Sequence, residues 1–191
     1  MLTGTELMNE LVDELKLSTM VATLDDLYHR PGFLEMDRLT MIAELIGPQF
    51  QEKVSTTLKN RLTAAHLKGS PEELADCVDS DKREYLPSGI TEMLSSLDFI
   101  EKGYNLCILG ESDAGKSYLA KAICIKACNR YNVGYFHSEE LLEKRNEQRK
   151  STIVCSQRDP ANWKAMILND VVSANSIMKR ATKHYTIKIN I

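Results

Sequence analysis

The stretch at residues 105–117, NLCILGESDAGKS, decides the fold of this 191-residue chain. Residues 105–109 form a short apolar run that is typical of a buried parallel strand. A glycine, four further residues and Gly-Lys-Ser follow, which is the pattern of a phosphate-binding loop. The loop residues are Gly110, Glu111, Ser112, Asp113, Ala114, Gly115, Lys116 and Ser117. Residues from Lys116 to about Asn129 predict a helix, so the pattern has the strand, loop and helix that a chance match lacks.

Each part of this loop is suited to holding the phosphates of ATP. Backbone N–H groups cradle the phosphate oxygens, and the positive end of the following helix adds to their field. The two glycines let the backbone approach without a clash from Cβ. Lys116 is predicted to reach the β- and γ-phosphates, and Ser117 to hold Mg²⁺ through its hydroxyl. Tyr118 is included among the predicted nucleotide contacts, whereas Asp113 adds negative charge that would weaken affinity.

The chain before the loop is predicted to be mainly helical. Apolar residues recur at helical spacing as far as the breaker at residues 29–32. Two more helices are predicted over residues 37–46 and from about 50 to 67, separated by Gly47-Pro48. Residues 70–87 are rich in acids and are interpreted as a linker.

Strands and helices alternate beyond the linker. A helix is predicted before Gly103, and further strands are expected at residues 132–136, 152–155 and 185–189. This alternation predicts an α/β layered fold. The domain prediction is therefore a helical N-terminal domain at 1–69, an acidic linker at 70–87 and a P-loop core at 88–191.

Composition limits the classes of partner and compartment. The net charge of −3 means that any contact with nucleic acid must come from a local basic patch. Five cysteines, an odd number spread singly along the chain, indicate a reducing cytoplasm rather than a disulfide framework. No apolar run approaches the roughly 20 residues that span a bilayer, so no membrane association is expected.

Five stretches carry a resemblance to a known family, in that family's order. They lie at residues 10–20, 103–110, 131–142, 151–157 and 176–180. Together they resemble the IstB-like transposition helper ATPases, a branch of AAA+ close to the DnaC-type helicase loaders. The resemblance implies an AAA+ three-layer core that uses ATP and Mg²⁺.

The resemblance also implies roles for residues outside the loop. Ser156 or Gln157 would be a polar sensor of the γ-phosphate at the end of a strand; the alternative is an ordinary polar turn. Arg180 would be an arginine finger that reaches the ATP of a neighbouring subunit, which implies a homo-oligomer. The alternative for Arg180 is an exposed helix face, because other basic residues surround it.

One expected motif is missing from the sequence. An ATPase of this class has a second apolar strand that ends in acids, which hold Mg²⁺ and position the attacking water. Only 40 residues separate Lys116 from Ser156, which leaves no room for that strand and its helix. We interpret the core as shortened by about one strand–helix unit, with the join within residues 139–145. Impaired hydrolysis and a sheet that lacks an inner strand are therefore expected.

Partners are predicted mostly from the resemblance. DNA would be contacted through phosphates, without sequence reading, by two basic groups: Lys53, Lys59, Arg61, His66 and Lys68, then Lys144, Arg145, Arg149 and Lys150. The alternative is that these residues are solvated helix faces. A transposase is the leading protein partner, and a replicative helicase bound by a loading adaptor is the alternative. A small-molecule P-loop kinase is a third possibility, but it would leave the helical N-terminal domain unexplained.

Overall fold

The computed structural model describes residues 4–134, 150–157, 179 and 181–191. The chain divides into two compact units, Met1–Asn60 and Arg61–Ile191. The first unit is helical, and the second contains a four-stranded sheet. The domain boundaries drawn from the sequence, at 69 and 87, stay a prediction. None of the described helices is both long and apolar enough to cross a membrane.

The N-terminal unit is built from helices joined by polar contacts. Its elements are α1 (Gly4–Asp13), α2 (Ser18–Tyr28), a short 3-10 helix (Phe33–Glu35) and most of α3 (Arg38–Ala64). Gln49 of α3 is buried, and its side-chain oxygen accepts a hydrogen bond of 3.1 Å from the backbone N–H of Met20. Its amide nitrogen donates to Glu52 at 3.1 Å. This network fixes the start of α2 against α3.

The predicted break at Gly47-Pro48 is wrong. α3 is one helix of 27 residues that contains Pro48. Proline removes one backbone donor and normally forces the preceding residue out of the helical region through a clash with its Cβ. Gly47 has no Cβ, which removes this clash and lets the helix continue.

The second unit has a sheet with the loop-bearing strand inside it. The strands are β1 (Glu84–Leu86), β2 (Leu106–Gly110), β3 (Ile153–Ser156) and β4 (Tyr185–Asn190), in the spatial order β1-β4-β2-β3. β2 is parallel to both β3 and β4, and β1 is antiparallel to β4. Within the described residues, β3 pairs only with β2.

Among the described residues, the helices that accompany the sheet include α4 (Ile90–Ser95), α5 (Asp98–Glu101) and α6 (Lys116–Ala127). The apolar core joins α6 to the sheet, and its side chains include Ile108, Leu119, Ile123, Ile187 and Ile189. A single helix was predicted before Gly103. It is divided into α4 and α5 because Leu97 adopts a left-handed conformation, with φ of 64°.

The strand predictions at 105–109, 152–155 and 185–189 are confirmed to within a residue at either end. In the candidate strand at 132–136, the first three residues have no regular structure, and the last two lie outside the described residues. The predicted join at 139–145 also lies outside them.

Residues 70–87, interpreted from sequence as a linker, take part in the core. They contain a 3-10 helix (Leu74–Asp76), strand β1 and the buried side chains of Cys77 and Tyr85. Glu72 is also buried, and it accepts a hydrogen bond of 3.0 Å from Lys121 of α6. This burial could not be predicted from local sequence, because the partners of these residues lie far along the chain.

Candidate nucleotide-binding site

The predicted phosphate loop joins the buried strand β2 to the start of α6. Leu106, Cys107 and Ile108 are fully buried, which fixes the strand that leads into the loop. β2 has a parallel neighbour on each side, so the loop leaves the sheet at the edge where three strands reach their carboxyl ends. Ligands of open α/β sheets bind at this edge.

Residue 110 must be glycine because the backbone of the loop lies very close to the backbone of β4. A Cβ at this position would lie 2.8 Å from the carbonyl oxygen of Ile189 and 3.1 Å from the Cβ of Ala114. The first distance is too short for any real Cβ contact. The loop therefore turns tightly against β4 because residue 110 has no side chain.

The second half of the loop has the backbone geometry of an anion cradle. Asp113 and Gly115 both have positive φ, at 62° and 93°. Gly115 precedes α6, and the N–H of Leu119 makes an early helical hydrogen bond to the Gly115 carbonyl at 3.0 Å. The N–H groups of the first residues of a helix have no acceptor within the helix, so they face outward at its positive end. This arrangement fits phosphate oxygens.

Lys116 is folded into the loop. The residue is buried, and its ammonium group donates a hydrogen bond to the carbonyl oxygen of Glu111. Both acids of the loop, Glu111 and Asp113, are exposed. The positive charge is thus held at the centre of the loop, where a phosphate could replace the carbonyl as its acceptor.

The predicted sensor residues lie beside the loop. Ser156 of β3 is directly opposite Leu109 of β2 in the parallel register. Gln157 lines a cleft of about 550 Å³ together with Gly110, Glu111 and Lys188. This volume lies within the range of small-molecule sites. The structure thus brings both predicted positions to the correct edge, and their sensor role stays a prediction.

Tyr118 points to a different neighbour from the one predicted. Its hydroxyl donates a hydrogen bond of 2.8 Å to Asp76 and accepts one from the backbone N–H of Glu73 at 3.4 Å. The bond to Asp76 raises the pKa of the Tyr118 hydroxyl above its ordinary value. Tyr118 therefore connects α6 to the segment before β1, and its contact with nucleotide stays a prediction.

Magnesium ligation can be assigned only to Ser117 from the predicted set. Ser117 is exposed in the first turn of α6. The residues that directly follow the described strands β3 and β4 are Gln157 and Ile191, neither of which carries a carboxylate side chain. Within the described parts of the chain, no group of three metal-ligating side chains comes together. Arg180, the predicted finger, lies outside the described residues.

One basic residue of the predicted DNA patch has a structural role. Arg61 donates hydrogen bonds to the backbone carbonyls of Cys128 and Asn129, at 3.2 and 3.0 Å, just after α6. A cation at this end of a helix satisfies carbonyls that have no helical partner. The other members of this group, Lys53, Lys59, His66 and Lys68, are exposed.

Two basic residues near the loop were missed by sequence reasoning. The guanidinium of Arg83 packs against Gly115, within the segment interpreted as a linker. Lys188 lies on the exposed face of β4 and lines the cleft. The alternation of Ile187, Lys188 and Ile189 could have indicated an outward lysine, but no local signal places Arg83 beside the loop.

An α/β sheet in which an inner strand, parallel to both its neighbours, leads through this glycine-containing loop into a helix defines a P-loop nucleotide-binding protein. A family model described as "IstB-like ATP binding protein" matches residues 10–149. The chain therefore belongs to the IstB-like ATP-binding family, of the AAA+ type. Ser156, Gln157 and Arg180 lie beyond the matched residues. A search among curated proteins found no match.

Proposed function

We propose that this protein is a cytoplasmic, ATP-binding helper of DNA transposition that hydrolyses ATP slowly. The observation that carries the proposal is the assembled phosphate loop of a family member, with Lys116 held at its centre. Gly110 and Gly115 have the close approach and positive φ that such a loop requires. Mg²⁺ would be held with the phosphates by Ser117.

Slow hydrolysis follows from the missing acidic motif. Only 40 residues separate Lys116 from Ser156, which we interpret as too few for an acid-terminated strand and its helix. Without those acids, neither the metal nor the attacking water is positioned by a carboxylate. Binding of ATP would then act as a switch for partners rather than as the start of rapid turnover.

Calorimetric titration with ATP and Mg²⁺ tests nucleotide binding directly. The expected result is binding in the micromolar range, lost in Lys116→Ala. A matched control is Lys126→Ala, which removes a lysine from the other end of α6. Absence of binding by the unaltered chain would overturn the proposal. Turnover within tenfold of an IstB-like protein with the complete acidic motif would overturn the slow-hydrolysis part.

DNA and a transposase are the proposed partners, and a homo-oligomer is the proposed assembly. The exposed lysines Lys53 and Lys68 would contact phosphates without reading sequence. Affinity for duplex DNA should then fall steeply with salt, and Lys53→Ala with Lys68→Ala should reduce the slope of log K against log[salt] by about 2. Salt-independent binding would contradict this contact.

A helicase-loading adaptor is the alternative, because the two classes share the phosphate loop and the helical N-terminal region. Pull-down with purified transposase and, separately, with purified replicative helicase distinguishes them. Retention of the transposase alone in the presence of ATP is expected. Retention of the helicase alone would replace transposition by helicase loading.

A further inference from the structure

Arg83 is placed against the phosphate loop by a tight turn ahead of β1. The backbone N–H of Ser80 donates to the carbonyl of Arg83 at 2.8 Å, and the N–H of Arg83 donates to the carbonyl of Ser80 at 3.1 Å. Asp79 secures the next part of the chain by accepting a 2.7 Å hydrogen bond from the N–H of Tyr85. The backbone of Arg83 is therefore fixed in position.

The guanidinium lies directly on Gly115. A Cβ built on this glycine would lie 3.1 Å from Cζ of Arg83, 3.3 Å from one terminal nitrogen and 3.4 Å from Nε. Gly115 is the residue immediately before Lys116, so the Arg83 guanidinium lies against the point where the loop enters α6. A side chain at position 115 would occupy the space that the guanidinium uses.

The hydrogen-bonding capacity of this guanidinium is only partly used. Burial raises the pKa of Tyr85, and the neighbouring Arg83 charge opposes this rise, which places the cation beside the Tyr85 side chain. Its Nε atom is buried, yet it has no hydrogen-bond partner. Among the described residues, no carboxylate forms an ion pair with it. Arg83 as a whole is partly exposed, but a buried donor atom without an acceptor is unfavourable and therefore calls for an explanation.

We infer that Arg83 is a further phosphate-binding residue of this site and that its missing acceptor is an oxygen of the bound polyphosphate. This inference rests on the proposed ATP binding. Arginine suits this role because its planar fork of donors matches the geometry of phosphate oxygens.

The test compares Mg²⁺·ATP with inorganic tripolyphosphate by calorimetry, in Arg83→Gln and in the control Lys82→Gln. Lys82 is the neighbouring exposed cation, so the control removes the same charge away from the loop. Arg83→Gln should weaken both ligands by about tenfold or more, the scale of a charge-assisted hydrogen bond. Lys82→Gln should change either affinity by less than about twofold. Thermal unfolding of each variant confirms that it is folded.

The outcomes separate this inference from the proposed function. Loss of ATP binding in Lys116→Ala with unchanged affinity in Arg83→Gln would overturn the inference alone. Weakened ATP binding with unchanged tripolyphosphate binding would also overturn it, because Arg83 would then contact the nucleoside. No ATP binding by the unaltered chain would overturn both.

A measurement on the unaltered protein covers the case in which Arg83→Gln does not fold. The ¹H–¹⁵N signal of the Arg83 Nε–H group can be assigned by its absence from the spectrum of Arg83→Lys. Tripolyphosphate should shift this signal, since the donor gains an acceptor. A signal that stays in place at saturating tripolyphosphate would overturn the inference.

Discussion

The ammonium group of Lys116 donates a hydrogen bond to the carbonyl oxygen of Glu111, five residues earlier in the same loop. The lysine therefore closes the loop on itself across the space that a phosphate would fill. Nucleotide binding would exchange a neutral carbonyl acceptor for a charged oxygen, which forms a stronger hydrogen bond with a cation. The loop is thus already close to its binding geometry.

Gly110→Ala should damage both stability and ATP binding, because the new Cβ would lie 2.8 Å from the backbone oxygen of Ile189. Neither backbone can move without disturbing the pairing of β2 with β4. We expect a loss of about 1–3 kcal/mol in the free energy of unfolding, as for other overpacked sites, measured by urea denaturation. Gly4→Ala is the matched control, since no atom lies within 4 Å of a Cβ there. Equal stability of the two variants would contradict the close approach.

Lys121→Met should destabilise the second unit by removing the partner of the buried Glu72. Burial by itself raises the pKa of Glu72, but the hydrogen bond and charge of Lys121 outweigh it, and the pKa is lowered overall. We expect a loss of about 1–3 kcal/mol in urea denaturation at pH 7. Arg30→Met breaks an ion pair with Glu44 whose side chains are more exposed, and it should cost no more than about 1 kcal/mol. A larger loss in Arg30→Met would contradict the assignment.

The stability of the second unit should fall as pH decreases below 6.5, partly through His184. The Nδ1 atom of His184 accepts a 3.1 Å hydrogen bond from the N–H of Asn105, and the ring stacks on Tyr104. Burial, followed by the positive charge of Lys183, lowers the pKa of His184 below 6.5. The unfolded chain therefore takes up its proton first as pH decreases, which favours unfolding down to the folded-state pKa.

His184→Gln removes this titration, so the stability difference between unaltered protein and variant should shrink as pH falls from 7 to 5. Denaturant titrations at several pH values measure it. His29→Gln, at an exposed helix end, controls for the loss of one histidine. A His184→Gln difference that stays constant over this range would contradict the role of the ring nitrogen.

Tyr118→Phe should reduce stability more than it reduces nucleotide affinity. It removes the hydroxyl that joins Asp76 and the N–H of Glu73 to α6. The expected cost is about 0.5–1.5 kcal/mol in the free energy of unfolding, with ATP affinity changed by less than about threefold. Calorimetry and urea denaturation on the same preparation provide both numbers. A tenfold loss of affinity without loss of stability would instead support the direct nucleotide contact predicted from sequence.

The central part of the fold could be predicted from sequence because its signals are local. The apolar run before Gly110, the glycine spacing and the helix after Lys116 lie within one continuous segment, and all three are present in the structure. The positions of Ser156 and Gln157 also follow from a short strand that ends beside the loop. Residues that are close in sequence therefore determine most of the backbone geometry at these positions.

Other features could not be predicted because residues distant in sequence determine them. Strand β1 exists through pairing such as that of Glu84 with Asn190, and the burial of Glu72 depends on Lys121. The acids around β1 therefore resembled an exposed linker. The position of Arg83 follows from the pairing of β1 with β4, which brings the turn ahead of β1 against Gly115. The continuity of α3 was missed for a local reason, since Gly47-Pro48 usually marks a helix end.

The spatial order of the strands has a consequence for the order of events during synthesis. β4, at residues 185–190, follows the other described strands in sequence but lies between β1 and β2 in the sheet. A growing chain would therefore carry the complete glycine loop for more than seventy residues of elongation before one side of its strand is covered. During this interval β1 has no sheet neighbour to join, and the edge of β2 that later binds β4 is open to other chains. Assembly of this unit is thus a late, long-range event, of the kind that makes folding slow.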